Sequence, residues 1–262
     1  MIPRADITAW RNHAPWKLDS QVEQDLIICR ILVELFSHDE MGSKLAFRGG
    51  TALHKLFLEP PARYSEDIDL VQVTPSPIGT IIDSTRGILD ATFGKPKIQQ
   101  KHDAQVLIYR VESEIPPIVP LRIKIETNSR EHFTAFGIKN VPFKVDSRWF
   151  SGSCSIATYE LDELLGTKLR ALYQRRKGRD LFDLWLGLTK GNANPAKIVE
   201  TFHKYVWASG LTISRKDFKS NLALKMKHPA FLSDIDALIR PEIEYNPQEA
   251  YELVSTKLLD IV

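Results

Sequence analysis

The segment D-I-D-L-V-Q-V, Asp67 to Val73, alternates acids with aliphatic residues at its start. Successive side chains of a β-strand point to opposite faces. Asp67 and Asp69 therefore share one face, and Ile68 and Leu70 share the other. The strand rise puts the two aspartate Cα atoms about 6.5–7 Å apart. The aliphatic pair anchors the strand in a core, and the acids are held side by side at the opposite surface. Neighbouring carboxylates repel, and the repulsion is relieved by proton sharing or by a cation. The chain must therefore contain a sheet with one covered face and one acidic, accessible face.

The flanking segments fill out that sheet. K-L-A-F-R-G reads as a strand that stops at Gly49-Gly50, and T-A-L-H-K-L-F-L opens a helix with Thr51 at or near its N-cap, ended by Pro60-Pro61. Upstream, Val22, Leu26, Ile27, Ile31 and Leu32 recur at helical spacing in residues 20–37, with Ser20 and Glu23 placed for a capping box. Residues 74–93 read mostly as helix. D-A-Q-V-L-I-Y-R-V-E-S and V-P-L-R-I-K-I-E-T read as strands, with prolines 116, 117 and 120 in the turn between them. Beyond residue 150 nearly every pattern is helical. Y-E-L-D-E-L-L-G-T-K-L-R-A-L-Y-Q-R-R is one helix, R-D-L-F-D-L-W-L-G-L a second, and further runs follow near 194–208, 214–226, 229–239 and 246–261. The expected organisation is an α/β (α+β) domain over residues 1–150 and a helical domain over 151–262.

Length and composition fit this reading. A chain of 262 residues makes one large domain or two small ones. The net charge of +2 says little about partners, so local charge has to. The two cysteines, Cys29 and Cys154, are far apart and belong to no pairing motif, which points to a reducing compartment. The N-terminal stretch lacks the apolar region of a signal peptide, and no window approaches the ~20 apolar residues that span a bilayer. The expected location is cytoplasmic, with no membrane association. The seven histidines show no metal-ligand spacing; His54 is the one nearest the acid strand.

The glycine turn and the acid strand are chemically complementary. Gly49 and Gly50 can take backbone angles closed to other residues. They allow a phosphate to approach the N–H groups that open the following helix, where the helix dipole also favours an anion. Thr51 can add a hydroxyl. Mg²⁺ (or Mn²⁺) takes oxygen ligands from one or two carboxylates together with substrate phosphates. In L-R-I-K-I-E-T, Arg122, Lys124 and Glu126 share a strand face opposite Ile123 and Ile125. Glu126 is the candidate third metal acid, because two-metal phosphoryl transfer commonly uses three carboxylates. Arg122 and Lys124 are placed to touch phosphates or to balance the acids. The alternative is a solvated strand face of mixed charge. No Walker A loop or dinucleotide fingerprint is present.

The helical half carries a second cluster. Lys168, Arg170, Arg175, Arg176, Lys177 and Arg179 are six basic residues within 13, and they lead into Asp180 and Asp183 at i, i+3. Leu181, Leu184, Trp185 and Leu188 are expected to pack inward. The bland reading is a solvated helix end. In the functional one Lys168 contacts a triphosphate, Asp183 or Asp180 orients it, and the arginines receive a nucleic-acid backbone.

Taken in order, F-R-G-G-T-A-L-H-K-L-F-L…R-Y-S-E-D-I-D-L, the later K-I-E, and K-L-R-A-L-Y-Q-R-R-K-G-R-D-L-F-D-L-W resemble the AbiEii/AbiGii-type nucleotidyltransferase toxins. These include the MenT toxins and belong to the DNA polymerase β-like nucleotidyltransferase superfamily. The similarity covers residues 45–190, and the long gap of residues 52–66 between turn and acids is normal for the toxin branch. The resemblance implies a polymerase β-like core with a mixed sheet, followed by a helical bundle. It implies that Gly50 and Thr51, with Gly49 beside them, grip phosphate. Asp67 and Asp69 would bind metal, with Glu126 as third acid. Ser65 matches a hydroxyl residue that an antitoxin kinase phosphorylates in some relatives. Lys168 and Asp183 match residues that relatives need for activity. The implied reaction is Mg²⁺-dependent transfer of NMP from an NTP to an acceptor hydroxyl, with the 3′ end of tRNA as the expected acceptor and a separately encoded antitoxin as partner. A non-catalytic NTP- or GTP-binding toxin component and a metal-dependent phosphohydrolase or nuclease are the competing expectations.

Overall fold

The computed structural model describes residues 2–262, which divide into two compact units. The first holds residues up to 134 together with 138–159, and the second holds 135–137 and 160–262. A division at residue 150 falls just before a strand that belongs wholly to the first unit.

The first unit runs α1 (Arg4–Trp10), α2 (Asp19–Phe36), α3 (Asp39–Lys44), β1 (Leu45–Arg48), α4 (Gly49–Leu56), β2 (Asp67–Gln72), α5 (Ile78–Phe93), β3 (Lys97–Gln100), β4 (Ala104–Glu112), β5 (Pro120–Asn128), β6 (Ile138–Asp146) and β7 (Ser151–Tyr159). The strands form one seven-stranded sheet in the order β3-β4-β5-β2-β1-β7-β6. The sheet is mixed: β2 pairs parallel with β5, and β1 parallel with β7, while the remaining neighbours are antiparallel. The two strands of the sequence motif, β1 and β2, thus lie at its centre.

Helix α2 packs across the sheet with Leu26, Ile27, Ile31 and Leu32 fully buried. Each such side chain contributes about 1.5–3 kcal/mol by leaving water. The anticipated capping box is replaced. Leu18 is the N-cap, and its N–H donates to the Gln21 side chain. Glu23 is unavailable because it lies on the inward face, where it accepts the Glu114 N–H at 2.9 Å.

A buried polar cluster joins the first helices. The Asp25 carboxylate accepts from the indoles of Trp10 and Trp16, at 3.0 and 3.2 Å, and pairs with Lys55 Nζ at 2.9 Å. Lys55 sits in α4, so this ion pair ties the helix after the glycine turn to the central helix α2.

The second unit contains α6 (Leu161–Gln174), α7 (Gly178–Thr189), α8 (Pro195–Ala208), α9 (Arg215–Lys225), α10 (Pro229–Leu232), α11 (Pro247–Val254) and a closing π-type turn, Ser255–Leu259. Helix α6 packs against α7 and α8. A Cβ at Gly166 would stand 2.4 Å from the Thr201 side chain, so only glycine lets α6 and α8 approach this closely. Glu163 of α6 accepts the N–H groups of Ala135 and Phe136 and the Tyr205 hydroxyl, which fastens residues 135–137 to this unit. The run at 229–239 is a short helix, Pro229–Leu232, followed by turns, whereas the run at 246–261 is helical from Pro247 to Leu259, its last turn of the π type. Among the described residues no helix is long and apolar enough to cross a membrane.

Candidate active site

The central strands converge on the acids. In the registers of β2 with β5 and of β1 with β2, Asp67 faces Lys124, Asp69 faces Glu126, and Arg48 faces Asp69. Because all of these strands alternate inward and outward residues, Ile68, Leu70, Ile123 and Ile125 are buried beneath while the charged residues share the other face.

The glycine turn is shaped around Asp69. Gly49 has φ +81°, the left-handed region that glycine enters without a Cβ penalty. A Cβ there would lie 2.3 Å from Asp69 Oδ2. The carboxylate therefore rests on the glycine backbone, at the first residue of α4. Arg48 is the N-cap of that helix, and Thr51 lies within its first turn rather than at its start. The Thr51 hydroxyl is buried; it donates to the Asp67 carbonyl and lies 2.8 Å from Ser65 Oγ. Thr51 and Ser65 thus join α4 to the entry of β2 and fix the acids relative to the turn. Gly50 is buried in the same helical turn.

Three cations surround the acids. Lys124 Nζ stands 3.3 Å from Asp67 Oδ2 and 3.0 Å from Glu126 Oε2. Lys101 Nζ is 2.6 Å from the same Glu126 oxygen. Arg48 pairs with Glu131 at 2.6 Å. Burial and the neighbouring Asp67 push the Asp69 carboxyl above the usual carboxylate range, against the pull of Lys124 and Arg48. Burial also acts upward on Glu126, but its two lysines outweigh it and hold the acid below its ordinary value. Arg122 is exposed, opposite Arg110 of β4 and two residues from Lys124.

Among the described residues no three His, Cys, Asp or Glu side chains are grouped to share one ion. The residues that could offer oxygens to a divalent cation are Asp67 and Asp69, with Glu126 engaged by two lysines. The aspartate pair fits Mg²⁺ or Mn²⁺, which needs only one or two carboxylates beside substrate phosphates. The Lys124 ammonium against Asp67 shows that the position accepts positive charge.

The second unit holds a separate network. Lys168 Nζ lies 2.9 Å from Asp183 Oδ2 and 3.2 Å from Asp180 Oδ1, and both acids have no exposed side-chain surface. Arg175 binds Asp180 through two N–H groups, at 2.7 and 2.8 Å. Burial raises the Asp180 carboxyl, but Lys168 and Arg175 outweigh that and keep it below the ordinary value. Lys225 donates to the carbonyls of Leu172 and Tyr173 at the end of α6, and burial pushes its ammonium down to about 8.

Sequence reading anticipated the acids, the turn and the Lys168 cluster. It missed Arg48, Glu131 and Lys101. Arg48 directly precedes Gly49, and its charge in an otherwise apolar strand was the available signal. Glu131 and Lys101 come from connecting segments, where only the fold shows the contact.

A mixed sheet with paired acids beside a glycine turn defines the fold class of the nucleotidyltransferases. The chain belongs to the AbiEii family, nucleotidyl transferase toxins of type IV toxin–antitoxin systems, whose family model matches residues 30–253. Among solved structures it resembles MenT4, a nucleotidyltransferase toxin of Mycobacterium tuberculosis, with 17% identity and a TM-score of 0.72 over 100% of this chain and 91% of that one. It also resembles a putative nucleotidyltransferase from Helicobacter pylori, with 15% identity and a TM-score of 0.53 over 92% of this chain and 93% of that one. JHP933 from Helicobacter pylori has 16% identity and a TM-score of 0.51, over 92% and 91% of the two chains. No curated protein matches the sequence.

Proposed function

We propose that this toxin transfers NMP from an NTP to an acceptor hydroxyl, most directly the 3′ end of tRNA, and that Asp67 and Asp69 are the acids that make the reaction depend on Mg²⁺ or Mn²⁺. The carrying observation is the pair of carboxylates on one strand face, with Asp69 seated on the Gly49 backbone. A divalent ion held by Asp67 and Asp69 would neutralise charge on the triphosphate and lower the pKa of the acceptor hydroxyl.

The protein's own residues do the positioning. The N–H groups at Gly49 and Gly50 open α4 and receive phosphate oxygens. Thr51 and Ser65 keep that turn in register with Asp67. Lys168 is paired with Asp183 and Asp180, and an ammonium has three donors, so it can serve a phosphate as well as the two acids. Glu126 is the third acid of the strand face and acts on the site through Lys124. The acceptor oxygen forms a bond to the α-phosphorus, the bond to pyrophosphate breaks, and the hydroxyl proton passes to solvent. Positioning and charge neutralisation supply most of the acceleration in such transfers. An antitoxin encoded separately restrains the activity in the cell, and the reaction takes place in the cytoplasm.

The acceptor is tested with intact tRNA against tRNA whose terminal ribose has been oxidised by periodate. Label from an NTP is expected only on the intact RNA. Equal labelling of both would exclude the 3′ hydroxyl as acceptor.

A further inference from the structure

We propose that Lys124 is a resident counter-ion for the acid strand, which releases Asp67 when a divalent cation binds and is then retained by Glu126. The inference rests on the metal site proposed above and adds a residue to it. Lys124 is held unequally: its contact to Glu126 is 3.0 Å and that to Asp67 is 3.3 Å. Glu126 is anchored independently by Lys101 at 2.6 Å. The ammonium thus has one partner on its own strand, itself held by a second lysine, and another across the strand pair. Asp67 has a side chain 40% exposed, so an ion can reach it from solvent.

The charges favour such a device. Asp67 and Asp69 sit two residues apart on one strand face, and Asp69 lies where a Cβ on Gly49 would stand. In the metal-free protein a cation relieves the repulsion of the pair, and Lys124 brings one to Asp67 from the neighbouring strand. An incoming ion must then displace that ammonium from Asp67, so the lysine lowers metal affinity. Glu126 and Lys101 act by holding Lys124 at hand rather than by ligating metal. This explains why an acid at the third-ligand position of the strand face carries two lysines.

The test measures Mn²⁺ binding directly, by the loss of the free Mn²⁺ paramagnetic resonance signal, in the absence of nucleotide. Wild type, Lys124→Met, Lys124→Arg and Asp69→Asn are compared after circular dichroism has shown each to be folded. Removing a unit positive charge within a few ångströms of the ion should tighten binding about tenfold or more in Lys124→Met, with Lys124→Arg close to wild type. Unchanged or weaker binding in Lys124→Met, with binding still lost in Asp69→Asn, overturns the counter-ion role and leaves the metal site standing. Binding that Asp69→Asn does not weaken, or no binding in wild type and Lys124→Met alike, overturns the metal site itself.

Discussion

Lys168 Nζ lies 2.9 Å from the Asp183 carboxylate, and neither side chain has more than a few per cent of its surface exposed. Removing Asp183 leaves Lys168 buried with Asp180 alone, an acid that Arg175 also engages, and breaking a buried pair costs up to about 3–5 kcal/mol. Asp183→Ala is expected to lose stability on that scale and to lose transfer activity as well. The discriminating variant is Lys168→Arg, which keeps the charge but replaces a compact ammonium with a planar fork. It should unfold within about 1–2 kcal/mol of wild type while its kcat falls at least 100-fold. Denaturant unfolding and single-turnover transfer measure the two effects, and full activity in Lys168→Arg would argue that the network is structural.

Gly49→Ala combines two faults. The residue sits at φ +81°, and the new methyl would stand 2.3 Å from Asp69 Oδ2. The backbone fault costs about 1–2 kcal/mol, which a core of this size tolerates. The carboxylate must move, and misplacement by about 1 Å costs on the order of 100-fold in rate. The expected result is a folded protein, by circular dichroism, with kcat reduced by that order. Near-normal kcat would show that Asp69 is not needed in its present position.

Glu23 offers a pH test away from the site. Burial pushes its carboxyl up to about 7. One oxygen accepts the Glu114 N–H, and the other, Oε1, is buried without a hydrogen-bond partner. A raised folded pKa means that ionisation disfavours the folded state. Below the unfolded value of 4.5 both states are protonated and the penalty is absent; it grows between 4.5 and 7 and is complete above 7. Glu23→Gln keeps the acceptor and removes the charge. It should gain about 1–3 kcal/mol at pH 8, with the gain vanishing near pH 4. Thermal unfolding across that range checks the sign; a gain largest in acid would contradict it.

Lys55 connects folding to the turn. Lys55→Met leaves Asp25 buried with two indole donors and the weak Cys29 thiol, and removes the cation beside it. Loss of about 3–5 kcal/mol is expected. Asp25→Asn in the same background removes the stranded charge and should restore most of it. Failure of the double variant to recover stability in denaturant unfolding would place the pair's contribution elsewhere.

Much of this was legible from local pattern. The period-two alternation at Asp67–Leu70 and at Leu121–Glu126 gave both strands and their faces, because one face of each is buried. The break at Gly49-Gly50 was readable for the same stereochemical reason that the structure requires it. Thr51 misled, because a threonine after two glycines has the form of an N-cap, whereas helix α4 begins two residues earlier and turns the hydroxyl inward to Asp67 and Ser65. Glu23 misled similarly: three residues after Ser20 it suits a capping box, but the inward stripe of α2 claims it. The hairpin β6–β7 went unread because its outer strand is mostly exposed and lacks a clear apolar alternation. The ion pairs Lys101–Glu126 and Arg48–Glu131 span 25 and 83 residues, and no local pattern encodes them.

The central claim is nucleotidyl transfer at Asp67 and Asp69, and the position of the label tests it most directly. Purified protein is incubated with total tRNA, Mg²⁺ and each NTP in turn, labelled either at the α- or at the γ-phosphorus, with Asp69→Asn alongside. Nucleotidyl transfer predicts α-label on the tRNA, γ-label released as pyrophosphate, and neither event in Asp69→Asn. Label on RNA from the γ-position, release of free NMP without incorporation, or undiminished activity in Asp69→Asn would contradict it.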